Sequence, residues 1–288
     1  MSAATINRVL APERKRMEIK GKSTTKPGSL RKKDIAIRLG TQWDESKPGY
    51  METDLVAHCG ETTAGFYANT LNMTDIFSGW TEPIAIVTKA QTHTLCGIKT
   101  IRGQLPFSLL GIDADNGGEF INEMLYQYCL KENLKFTRSR PYRKNDGCHV
   151  EQKNWSVVRK HMGYARYEGQ EVVDLMNQYY ALLRLFNNYF LPSAKLIAKS
   201  RHESTVAKCY DNPQTPCQRL LQSDSLTPEQ KALLAQTRTS LDPFAFKRDM
   251  MLLREQIEAL ALPNARPLPD GAATSSLTVS LTPAQSQF

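Results

Sequence analysis

The stretch "GIDADNGGEF" (residues 111–120) ends an apolar run, "FSLLGIDAD" (107–115), with two aspartates, a Gly-Gly pair and a glutamate. Apolar residues followed at once by Asn-Gly-Gly predict a short buried strand ending in a tight reversal. Glycine enters backbone regions closed to other residues, and Asn and Asp tolerate turn conformations. Asp115 then stands exposed where the strand stops, a position suited to a ligand. Asp before Asn-Gly is also ordinary turn chemistry, so position alone does not assign a role. The acidic turn contrasts with the rest of the 288-residue chain, whose formal net charge is +8.

Upstream of this strand, "YMETDLVAHC" (50–59) alternates as a strand should, and "GFYANTLNMTDIFSGWTEPIAIV" (65–87) reads as two more strands joined at "FSGW". "KAQTHTLCGIKTIRG" (89–103) is a helix candidate. Downstream, "GEFINEMLYQYCLKENL" (118–134) is amphipathic, with Phe120, Ile121, Met124, Leu125 and Tyr128 on one face and Glu119 read as a helix-start residue. "KFTRSRP" (135–141) is a short strand, residues 148–163 a helix, and "EVVDLMNQYYALLRLFNNYF" (171–190) a stronger helix stopped by Pro192. Three strands, helix, strand, helix, strand and helices make a mixed α/β domain.

Two helices follow. "LTPEQKALLAQTRTSL" carries Thr227 as N-cap, Pro228 at the first helical position and Gln230 three residues after the cap, a capping box. "LDPFAFKRDMMLLREQIEALAL" has an apolar stripe of Phe246, Met250, Leu253, Ile257 and Leu260. About two heptads are too few for a sustained coiled coil, so this stripe is expected to dock on its own chain. The Pro/Ser/Thr-rich segment from Pro263 to Phe288 offers little to bury and is expected to be disordered.

No run approaches a membrane-spanning length and the opening residues lack the apolar core of a signal peptide, so no membrane partner is expected and the cytoplasm is inferred. Six cysteines without a CxxC pair indicate neither a zinc site nor a disulfide framework. Residues 1–50 hold 12 Lys+Arg against 5 Asp+Glu, concentrated in "KGKSTTKPGSLRKK". Such an arm suits a polyanion, because neutralising phosphates releases counterions, although basic runs also occur as solvated linkers. "HVE" (149–151) lacks the Pro-Cys-x-x-Cys that a zinc deaminase needs, and neither a Walker loop nor a nucleophile elbow is present.

Two further acids stand out. Asp54 lies mid-strand in "METDLVA", where a carboxylate is costly to bury unless paired or metal-bound. Glu151 falls in the first turn of the helix beginning near Cys148, where the helix dipole favours an ionised acid. Three carboxylates from separate elements suit hard divalent cations. Glu52 and Asp113, each two residues before a candidate, are alternative ligands or outer-shell groups.

The order Asp54, Asp115, Glu151, with 35 residues (116–150) between the last two, resembles the D,D-35-E signature of retroviral integrases and bacterial insertion-sequence transposases. "ETDLV", "DIFSGWTEPIAI", "IDADNGGEFIN" and "RPYRKNDGCHVEQKN" carry the resemblance, which covers roughly residues 46–195. It implies a ribonuclease H-like α/β core, a five-stranded mixed sheet flanked by helices. That core would occupy 48–195, after a basic N-terminal arm (1–47) and before a helical C-terminal region (196–262) and the tail (263–288). The arm is too short for the whole helix-turn-helix module that the resemblance implies, so either a separate frame encodes that module or this frame is truncated, with "MSAATINRVLAPERKR" a candidate for its last helix.

The resemblance also implies that Asp54, Asp115 and Glu151 are both catalytic and metal-binding. They would hold two Mg2+ ions, replaceable by Mn2+, for in-line displacement at phosphorus. The partners implied are double-stranded DNA, as element ends and target, and further copies of the chain, acting beside a bacterial nucleoid. Asn116, Lys144, Asn145, Lys153, Arg159 and Lys160 are the candidate nucleic-acid contacts, and Trp155 is either a base contact or a core residue. Many relatives carry Lys or Arg seven residues after the glutamate, where this chain has Val158. A nuclease of the same fold that cuts without joining, and a non-catalytic DNA-binding remnant of a truncated transposase, are the alternatives.

Overall fold

The computed structural model describes residues 5, 34–37, 46–139, 148–202 and 205–262. Most of the basic arm, the "RPYRKNDG" segment with Lys144 and Asn145, and the tail lie outside the described residues. Three strands, β2 (Tyr50–Ala57), β3 (Asn69–Asp75) and β4 (Thr81–Ile86), form an antiparallel meander. Helix α1 (Gln91–Gln104) leads to β5 (Gly111–Ala114), and α2 (Glu123–Lys131) leads to β6 (Lys135–Arg138). Both β5 and β6 join the sheet parallel to β2. A two-residue strand, β1 (Ala36–Ile37), pairs parallel to β6, giving the order β1-β6-β5-β2-β3-β4. The meander followed by two parallel crossovers is the ribonuclease H-like arrangement. The sheet has six strands rather than the five expected, because part of the basic arm is recruited: Ile35 is buried and its carbonyl accepts from Arg138 Nε at 3.1 Å.

Period-two alternation sorts the strands onto two faces. Met51, Leu71, Met73 and Ile112 meet Ile98 and Ile101 of α1 and Leu125 and Cys129 of α2 in one core. The opposite face carries Glu52, Asp54, Thr70 and Asn72. It is covered by a continuous helical segment, α3 (Cys148–Lys153), a π-helix (Asn154–Arg159) and α4 (Lys160–Met162), and by α5 (Gln170–Phe190). Helix α5 also shields the β4 edge. Asn177 bonds both the N–H and the C=O of Ala85, at 2.8 and 3.1 Å, and Asn188 does the same for Thr81, both at 2.9 Å. These amides act as strand mimics, so the edge offers fewer free groups to another chain.

Past α5 the region opens with a ribbon that periodicity did not reveal, β7 (Leu196–His202) paired with β8 (Thr205–Tyr210). Three helices follow: α6 (Pro216–Gln222), α7 (Pro228–Ser240) and α8 (Pro243–Ala259). The capping box at Thr227 and Gln230 forms, and a second one forms at Thr215 and Gln218. The stripe of α8 docks on its own chain, with Met250 and Ile257 buried against the core of α5. Cys59, Cys96, Cys129, Cys209 and Cys217 are free thiols. Among the described residues no helix is long and apolar enough to cross a membrane.

Candidate active site

Sheet register brings the first two acids side by side. Thr53 pairs with Ala114 across the parallel β2–β5 ladder, so Asp54 and Asp115 are the next residues on adjacent strands. Asp54 is half-buried. Its Oδ1 accepts from the Leu55 N–H at 2.8 Å and its Oδ2 from Asn154 Nδ2 at 2.7 Å, while Asn154 Oδ1 accepts from Asn72 Nδ2 at 2.9 Å. Burial pushes the Asp54 carboxyl up to about 7, and the charges of Asp115 and Glu151 push the same way against those two hydrogen bonds. The three acids therefore share one electrostatic field although they come from β2, the end of β5 and the first turn of α3.

Asp115 closes its own turn, accepting from the Gly117 N–H at 2.8 Å. A Cβ at Gly117 would lie 2.8 Å from Asp115 Oδ1 and 2.7 Å from the Glu119 carboxyl carbon, so a side chain there would push these two carboxyls aside. Asn116 ties the turn to β6, donating to the Ser139 carbonyl at 2.8 Å and accepting from Arg138 at 3.1 Å. The helix after the turn starts at Glu123, with Asn122 as N-cap accepting from the Leu125 N–H at 3.0 Å. Glu119 is consequently not a helix-start residue: it is buried beside Asp115, and burial first, then Asp115, raises its pKa against Lys89. Asp113 is buried and accepts from the Thr137 hydroxyl at 2.6 Å.

Glu151 is exposed on α3, one residue after the buried Val150. The segment bearing it is bonded to β2 at three heights. Val150 N–H donates to Glu52 Oε2 at 3.0 Å, Asn154 to Asp54, and Arg159 Nη2 to the Ala57 carbonyl at 2.9 Å. The wider i→i+5 turn of the π-helix lets Asn154 and Arg159, five residues apart, both reach that strand. It also buries both Val157 and Val158, so the position seven residues after Glu151 lies in the core.

The candidate nucleic-acid contacts are dispersed. Lys160 is exposed, Lys153 is half-buried with its pKa lowered by burial and then by Arg219, and Arg159 bonds inward as described, with burial lowering its pKa. Trp155 is 60% exposed, so its indole is not a core group. Arg166 is a buried clamp rather than a surface charge: it donates to the carbonyls of Cys59, Thr62, Ala64 and Phe66 and pairs with Glu168.

Sequence reading missed Asn72 and Asn154. Asn154 had a detectable signal, since it lies three residues after Glu151 and so on the same helical face. Asn72 had none, because its place opposite Asp54 depends on strand register.

Three carboxylates with no thiol or imidazole among them are the donor set of a hard divalent cation. Burial raises the Asp54 pKa most and the charges of Asp115 and Glu151 add to it; a cation placed among them would offset both. Among the described residues, however, no group of three or more His, Cys, Asp or Glu side chains is gathered tightly enough to hold an ion. The acids fit the ion in donor chemistry, without being gathered into a closed site.

No family model matches the chain. It is similar to the uncharacterized protein y4rM of Sinorhizobium fredii (strain NBRC 101917 / NGR234), 37% identical over 221 residues that cover 76% of this chain and 63% of that protein. The chain thus spans less than two thirds of this relative's length. Among solved structures it is similar to the HTLV-2 integrase catalytic core domain in complex with magnesium (dimeric form), at 14% identity and TM-score 0.39, over 52% of this chain and 93% of that one. It is also similar to a chain of the simian T-cell lymphotropic virus intasome in complex with PP2A regulatory subunit B56 gamma, at 14% identity and TM-score 0.41, over 68% and 75% of the two chains.

Proposed function

We propose that this chain is a DNA transposase or integrase, a metal-dependent polynucleotidyl transferase that cuts a DNA end and joins it to a target. The observation that supports this reading is the sheet register that sets Asp54 beside the end of β5, where Asp115 follows, with the helical segment bearing Glu151 hydrogen-bonded to the same strand β2; the three acids are spaced as in the D,D-35-E signature. Asp54, Asp115 and Glu151 would hold two Mg2+ or Mn2+ ions, which when bound supply Lewis acidity to the attacking and leaving oxygens at phosphorus.

The chain's own groups do the rest. Asn154, backed by Asn72, orients the Asp54 carboxylate, and Asn116 fixes the turn that presents Asp115. Exposed Lys160 offers charge to phosphate and exposed Trp155 a stacking face to a base, both on the helical segment that carries Glu151. Double-stranded DNA is the proposed partner, bound by several copies of the chain on paired ends. The net charge of +8 supports a polyanionic partner.

The experiment is a strand-transfer assay with pre-nicked ends and Mg2+. Joined product supports a transposase, cutting without joining gives the plain nuclease, and salt-sensitive DNA binding with neither gives the non-catalytic remnant.

A further inference from the structure

We propose that Glu52 is a positioning residue: its carboxylate holds the first turn of α3 and thereby sets where Glu151 stands relative to Asp54 and Asp115. The inference rests on the active-site reading above. Strand alternation puts Glu52 on the same face as Asp54, two residues earlier, and the side chain is 1% exposed. Its Oε2 accepts from the N–H of Val150, itself buried and adjacent to Glu151 in the chain.

The first N–H groups of a helix have no partner within it, so a buried one needs an acceptor from elsewhere. A carboxylate is the strongest such acceptor at the positive end of a helix. A main-chain or amide acceptor would satisfy Val150 without adding negative charge. Glu52 spans the gap between β2 and α3 that a shorter side chain does not. The other ties between this helical segment and β2, at Asn154 and Arg159, lie three and eight residues beyond Glu151. Among the described residues, the Glu52–Val150 hydrogen bond ties down the N-terminal side of Glu151, so the third acid sits between two anchors on one strand.

The roles of ligand and tether are separable by substitution. Glu52→Gln keeps an acceptor oxygen at the same reach without the charge, Glu52→Asp keeps the charge on a shorter arm, and Glu52→Ala removes both. In the full chain, amide hydrogen exchange at Val150 and Mg2+-dependent cutting of a DNA end are measured for each, with DNA affinity as the control.

A positioning role gives wild-type exchange and near wild-type cutting for Gln. For Asp and Ala it gives fast exchange at Val150 and turnover lower by about ten- to a hundredfold with DNA affinity unchanged. Should Ala not fold, Asp carries the same comparison. The proposal is overturned if Gln cuts as poorly as Ala, which would make Glu52 a ligand, or if Asp and Ala retain wild-type exchange and turnover. If the wild-type chain cuts no DNA, the active-site reading fails, while exchange at Val150 still decides whether Glu52 tethers the helix.

Discussion

At the scale of the residue, the candidate site is three carboxylates whose charges oppose one another and a set of amides that hold them in place. Asp54→Asn, Asp115→Asn and Glu151→Gln should each abolish Mg2+-dependent cutting while leaving melting temperature and salt-sensitive DNA binding close to wild type. A gel assay of end cleavage checks this, and normal cutting by any one variant removes that residue from the site. Asn154→Ala should release Asp54 Oδ2 without removing a carboxylate, so cutting should fall by about ten- to a hundredfold with DNA affinity unchanged. Arg166 belongs to stability: its guanidinium is buried among four carbonyls, and Arg166→Ala should cost about 3–5 kcal/mol in urea unfolding because those acceptors lose their donor.

At the scale of the element, two devices matter: the π-turn that aims Asn154 and Arg159 at one strand, and the close docking of helices on the sheet. Helix α8 shows how far a local pattern reaches. Its apolar stripe was legible as spacing, and short length argued for packing within the chain, as observed. Ile257→Ala should therefore destabilise the fold by about 2–5 kcal/mol, whereas truncating the exposed Leu252 on the opposite side should be nearly neutral. Chemical denaturation of the two variants tests the difference. Helix α2 shows the converse, since amphipathic spacing began it near 118 but the Asn122 cap starts it at Glu123, and the displaced turn buries Glu119 beside Asp115.

At the scale of the molecule, a buried histidine shapes the pH response. His58 bonds the Thr70 hydroxyl at 2.7 Å, and burial, with Arg159 adding to it, pushes its pKa down to about 3. Between about 3 and 6.5 the unfolded chain binds a proton there that the folded chain does not. Stability linked to His58 is thus complete above 6.5 and declines by about 1.4 kcal/mol per pH unit below it. Asp75, raised to about 6 by burial, works in the opposite sense, because its folded form binds the extra proton between 3.8 and that value. The informative measurement is therefore the difference in urea stability between wild type and His58→Gln from pH 7 to pH 5, which should shrink as the pH falls. A pH-independent difference would sink the assignment.

The sequence by itself determined what local chemistry determines: the alternation of β2, β3 and β4, the capped start of α7, the surplus of positive charge, and three acids at a recognisable spacing. It also announced the turn at Asp115, since Asn-Gly-Gly acts through neighbouring backbone angles. Only the tertiary structure decided which polar side chains stand together. Asn72 faces Asp54 through strand register, Asn154 and Glu52 meet their partners across about a hundred residues of chain, and Ala36 and Ile37 enter the sheet by pairing with a strand about a hundred residues away. The β7–β8 ribbon likewise depends on partner strands rather than on its own periodicity. The physical reason is range: propensities and caps act within a few residues, whereas a buried donor chooses its acceptor only after the whole sheet has set the distances between them.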